Sequence, residues 1–179
     1  MSKAQPIIEK LCGARRQLLS VADGVSAEQW QLAPAEGRWC AAQLVAHLIL
    51  VERGVLKSAD RVTQHEAKAW PLYRRVHLPL KVVESRLFRR KSPSALAPEE
   101  VGGKEDMLAQ LREVRERTLA FLDETKGRDL STYRWPHPLL GNLSLYNWIS
   151  FIASHEIRHT KQMREIAANL PKSVANLHN

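Results

Sequence analysis

Four stretches of this 179-residue chain carry apolar residues at alternating three- and four-residue steps, and no other feature constrains the fold as much. An α-helix turns once every 3.6 residues, so such steps gather apolar side chains into one stripe that must be buried against a neighbour. The first stretch runs from about Gln5 to Asp23, with Ile7, Leu11, Ala14, Leu18 and Val21 on the stripe, and Gly24 closes it. The second begins near Cys40, after a loop containing Pro34 and Gly37, and carries Leu44, His47/Leu48, Val51 and Val55. The third covers about 104–125, with Met107/Leu108, Leu111, Val114, Thr118 and Leu122, and ends at Gly127. The fourth starts at Ser144, a good N-cap after the turn at 138–142. Its stripe is Leu145, Trp148, Ile152, His155, His159, Gln162/Met163 and Ile166, and Pro171 stops it.

Nowhere does apolar/polar alternation persist long enough to predict a sheet. Modest loops join the first stretch to the second and the third to the fourth. Residues 65–103 form a connection of about forty residues with four prolines and the pair Gly102-Gly103. A connection of that length can carry the chain from one end of a bundle to the other, so the second and third helices are expected to be parallel neighbours. The expected fold is therefore all-α: a single domain over residues 1–179, a four-helix bundle running up-down-down-up with a long crossover between helices 2 and 3. A short helix is expected within the crossover, at about 80–88.

Composition removes several functional classes. With 44% hydrophobic residues the chain can build a core, and its length suits one domain. No stretch approaches the roughly 18 uninterrupted apolar residues of a membrane helix, so no membrane association is expected. The opening MSKAQPIIEKLCGARRQLL lacks a signal pattern and reads as an amphipathic helix. Cys12 and Cys40, the only cysteines, make no disulfide framework and are too few for a thiolate zinc site, so a cytoplasmic setting with reduced thiols is expected. The net charge of +8 is concentrated in RLFRRK at 86–91, beside Arg74, Arg75 and Lys81. We read that segment 74–91 as a solvated face. A nucleic-acid partner is not expected, because there is no helix-turn-helix and Phe88 stands alone among the basic residues.

Three histidines sit on stripes that should face the core. His155 and His159 are four apart, so they project from one helix face a turn apart. His47 lies at the edge of the second stripe. An imidazole on an apolar stripe costs roughly 1–3 kcal/mol for each polar group left unsatisfied, so a bundle keeps such a pair only where something is gained. Two imidazoles from one helix and a third from a facing helix make three ligands of a metal site. His65, His77, His137 and His178 fall in loops or at the terminus and are not assigned as ligands. The letters His155-Glu156-Ile157-Arg158-His159 match the H-E-x-x-H pattern of zinc metalloproteases. That match is weak, because little chain follows to supply a third ligand and Glu156 lies about 100° around the helix, towards the flank.

The stretch Pro34-x-x-Gly37-Arg-Trp39-Cys-x-x-x-Leu44-x-x-His47-Leu48 resembles the second-helix motif of the DinB/YfiT-like metalloenzyme family. So do His137-Pro-x-x-Gly141-x-x-Ser144 and His155-Glu-x-x-His159-x-x-Gln162 resemble the family's later motifs. The resemblance implies a four-helix bundle whose three histidines bind one divalent metal ion, zinc or nickel above all, with open coordination positions, and it implies a homodimer. Relatives in that family include transferases and isomerases that use a low-molecular-weight thiol, and some hydrolases. One departure is Cys40, where the family usually has Ser or Thr; a thiol caps poorly, so the second helix is expected to start more loosely.

The expected function is thus a metal-dependent enzyme acting on a small-molecule substrate, a thiol S-transferase or isomerase-like enzyme or a hydrolase. A noncatalytic metal-binding, stress-related interaction module is the alternative. His47, His155 and His159 are the expected ligands, and Gln162, about one turn beyond His159, is a candidate partner that orients an imidazole. The basic crossover is expected to help an anionic thiol approach.

Overall fold

The structure, a computed structural model, describes residues 3–67, 70–71, 76–85 and 101–170. Arg74, Arg75 and residues 86–91 of the basic segment lie outside them, as do His178 and the end of the short helix expected at 80–88. The described elements are α1 (Gln5–Asp23), α2 (Ala41–Thr63), α3 (Lys81–Glu84), α4 (Lys104–Glu124), β1 (Arg134–His137), β2 (Gly141–Ser144) and α5 (Leu145–Asn169). The protein is mostly helical, and α1, α2, α4 and α5 are the four long helices that the apolar stripes mark out.

Each helix starts for a local reason. Pro6 lies in the first turn of α1, where its fixed φ suits the helix and its missing N–H costs nothing. Ser144 Oγ accepts from the backbone N–H of Asn147 at 3.2 Å and caps α5. At α2 the expected looser start is not what forms. Cys40 Sγ accepts from the Gln43 N–H at 3.5 Å while Gln43 Oε1 accepts from the Cys40 N–H at 3.1 Å, a complete capping box with sulfur in the hydroxyl's place.

Inter-helix hydrogen bonds set the directions. Arg15 of α1 donates to the Leu111 carbonyl and Arg115 of α4 to the Leu11 carbonyl, so those two helices run in opposite senses. Arg53 reaches Gln110, and Arg128 reaches the Thr63 carbonyl, so α2 and α4 advance together. Lys10 meets Ser154 and Arg15 meets Glu156, so α1 and α5 also advance together.

The core is two apolar clusters. One gathers Leu11, Val55, Leu56, Val114, Ile149 and Ile152 with the hairpin residues Leu140 and Leu143. The other gathers Leu18, Leu44, Leu48, Leu108, Leu111 and Met163 around Trp30.

The sequence predicts no sheet, yet β1 and β2 pair antiparallel, with Trp135 opposite Leu143 and His137 opposite Gly141. Four-residue strands with Pro136 inside one of them carry too little alternation to be read. Tertiary contacts stabilise the hairpin instead. Trp135 stacks on Trp148 of α5 with ring centroids 5.0 Å apart, and Trp148 Nε1 donates to the Trp135 carbonyl. The crossover lies against the hairpin's far edge, where His77 bridges to Gly141 and Leu78 donates to the Leu140 carbonyl. Gly141 sits at φ +87°, and a Cβ there would lie 2.8 Å from the Val76 carbonyl oxygen. Further on, Glu84 of α3 pairs with Lys10 at 2.6 Å and fastens the crossover to α1.

Candidate metal centre

α2 and α5 bring the three stripe histidines together. His155 Nε2 lies 3.3 Å from His47 Nε2 and 3.2 Å from His159 Nε2. All three ligating atoms fall within 4.8 Å of one another. Nitrogens held at 2.0–2.1 Å from a tetrahedral ion are separated by about 3.3 Å, so the two close separations are those of ligands sharing one metal. Among the described residues, this is the group of His, Cys, Asp or Glu side chains able to hold an ion. His47 and His159 are buried, and His155 is partly buried.

The surroundings favour neutral, aimed imidazoles. Burial, then the neighbouring His159 and His47, then Arg158 and His137, push the His155 pKa well below its ordinary value, so at neutral pH it carries no proton to compete with a metal. His159 Nδ1–H donates to Gln162 Oε1 at 3.0 Å. That bond selects the tautomer whose bare lone pair is on Nε2, the atom facing the other two histidines. Trp39 packs on the His47 ring at 5.1 Å, and Phe151 stacks on His155 at 5.2 Å. The donor set, its spacing and its protonation fit a divalent ion of the borderline class.

Glu156, placed by the helix wheel towards the flank of α5, is 1% exposed there, in a layer of buried charge to which each long helix contributes one residue. Its Oε2 accepts from Arg115 at 2.9 Å and its Oε1 from Arg15, while Glu52 accepts from Arg15 at 2.9 Å and from Arg115 at 2.8 Å. Thr118 adds a hydroxyl to Glu52 at 2.7 Å. Burial draws the Arg115 pKa down, but the charges of Glu156 and Glu52 and their hydrogen bonds outweigh it and hold the guanidinium above its usual value. With both oxygens engaged by arginine, Glu156 is placed to tie helices together, not to act as the base of a protease.

This layer lies between the two apolar clusters, and sequence reasoning missed it. A signal was there. Arg15 continues the spacing of Leu11 and Leu18, Glu52 that of Leu48 and Val55, and Arg115 that of Leu111 and Thr118. One charge lies directly after a stripe residue on each helix (Ala14, Val51, Val114 and His155), with two of each sign.

The other described histidines are not part of the ligand cluster. His137 ends β1, where its Nδ1 accepts from the Leu139 and Leu140 N–H groups, and burial lowers its pKa. His77 Nε2 accepts from Asn147 Nδ2 at 2.8 Å, and its Nδ1–H donates to the Leu78 carbonyl. His65 lies exposed after α2.

The sequence profile of the DinB superfamily matches residues 11–163, a span that includes all three histidines, the whole of α2 and α4 and most of α1 and α5. The chain belongs to the DinB superfamily. It is also similar to the uncharacterized protein YuaE of Bacillus subtilis (strain 168), with 29% identity over 162 residues. That alignment covers 89% of this chain and 96% of YuaE. Superfamily membership and the histidine cluster are together compatible with metal binding. Among the described residues, no helix is long and apolar enough to cross a membrane.

Proposed function

We propose that this DinB-superfamily protein binds one divalent metal ion, zinc or nickel, through His47, His155 and His159. We propose further that it is a metal-dependent enzyme acting on a small molecule, a thiol S-transferase or isomerase-like enzyme or a hydrolase. The observation that carries this reading is the convergence of three imidazole nitrogens from two helices, at ligand spacing, in a buried setting. Gln162 orients His159, and burial keeps His155 unprotonated. Trp39 and Phe151 pack on two of the rings and hold them in place. When bound, a divalent ion supplies a Lewis acid that lowers the pKa of a water or thiol brought to it. Three protein ligands leave a coordination position for that group, as catalytic sites require and closed structural sites do not.

A low-molecular-weight thiol is the proposed co-substrate and a homodimer the proposed assembly. The test is a screen of zinc- and nickel-loaded protein for thiol consumption with electrophilic substrates, together with hydrolysis of small esters and amides. Turnover that disappears in His155→Ala supports the enzymatic reading. Metal-loaded protein without turnover across the screen favours the noncatalytic metal-binding module.

A further inference from the structure

A cavity of about 330 Å³ lies one residue layer from the histidine cluster, between the loop before α2 and the last turns of α5. It shares two walls with the cluster. Trp39 packs on His47, and Gln162 accepts from His159. The remaining wall residues include Arg38, Glu165, Ile166 and Asn169. Its volume is at the lower end of the range for small-molecule sites.

The charges around this cavity are sorted by sign. On one side stand Arg38 and the N-terminal end of α2, whose dipole adds positive potential. On the other stand Glu165 and the C-terminal end of α5, whose dipole adds negative potential. Arg38 Nη2 and Glu165 Oε2 are 3.9 Å apart, the outer limit of an ion pair, with side chains 47% and 39% exposed. A loose, exposed pair of this kind costs little to open. Trp39 and Ile166 give the cavity an apolar surface beside this pair.

From this arrangement we infer that the cavity is a subsite for a small zwitterion bearing an α-amino-acid group. The carboxylate pairs with Arg38 at the α2 end, the ammonium with Glu165 at the α5 end, and the side chain lies on Trp39 and Ile166. In this arrangement each protein charge meets an opposite charge of the zwitterion in a charge-assisted hydrogen bond. The subsite names the substrate class of the metal centre and so rests on the reading given above.

Titration calorimetry on the full chain tests it, with three probes of one shape: L-norleucine, N-acetyl-L-norleucine without the ammonium, and L-norleucine methyl ester without the carboxylate. Each is titrated into metal-free and zinc-loaded protein, and zinc content is measured in parallel. L-norleucine binds both forms, and each blocked probe binds about tenfold more weakly or worse. Arg38→Gln and Glu165→Gln weaken L-norleucine binding to a similar degree while zinc content stays at the wild-type level. Equal affinity for the three probes overturns the inference, as does unchanged affinity in both variants. Binding confined to the zinc-loaded protein also overturns it, because the amino acid is then chelating the ion. Zinc uptake without norleucine binding removes the subsite and leaves the metal centre; norleucine binding in a chain that takes up no zinc does the reverse.

Discussion

Burial keeps the His155 imidazole in its neutral form, and the consequence for stability has a definite sign. The folded chain holds this imidazole neutral well below the usual pKa, whereas the unfolded chain titrates it near 6.5. As pH falls through that value the unfolded state gains a proton that the folded state does not, so folding stability drops. His137, lowered by burial, contributes in the same direction. The melting temperature of metal-free protein should therefore fall between about pH 7.5 and about pH 5.5, and less steeply in His155→Leu. An equal slope in the two proteins would contradict the shift. At this scale the sequence was readable where spacing speaks. His155 and His159 had to share a face, and Gln162 lay one turn on. Cys40 was readable in position but not in strength, since nothing in the residue order shows that a thiol will complete the box with Gln43.

Between the elements, the buried charges decide more than the apolar stripes. Stripes alone allow helices to slide by a turn at small cost, whereas two arginines bonded across to two glutamates and to two backbone carbonyls leave one register. That register also brings His47 near the level of His159, because α2 and α5 run in opposite senses, His47 precedes Glu52 by five residues and His159 follows Glu156 by three. Removing one partner leaves a buried guanidinium uncompensated, so Glu156→Ala should cost about 3–5 kcal/mol in denaturant unfolding, far more than an exposed change such as Glu113→Ala. A loss under about 1 kcal/mol would show that the layer contributes little. Gly141 is the second element-level test. Its positive φ opposes a side chain, and so does the Val76 carbonyl oxygen, which would lie 2.8 Å from any Cβ placed there. Gly141→Ala should cost more than about 1 kcal/mol and raise amide exchange in the hairpin and at Leu78. Helices were legible here because their period repeats over many residues. The hairpin was not, because contacts with Trp148 and the crossover, not alternation, hold its two short strands.

Across the whole molecule, the sequence implied an all-helical protein, and the fold is that with a two-stranded addition. The site depends on the global arrangement more than on any one helix. His47 comes from α2 and the other two ligands from α5, over a hundred residues later in the chain, so the centre forms only when the bundle does. What was missed was the interior between the clusters, where four charges of balanced sign are buried beside the apolar stripes. The central claim is that one ion is shared by three histidines, and metal content by mass spectrometry on untagged protein and single-site variants tests it directly. Wild type should carry one divalent ion per chain, His137→Ala should keep it, and His47→Ala, His155→Ala and His159→Ala should each lose most of it. Full occupancy in His155→Ala or His159→Ala would contradict the account.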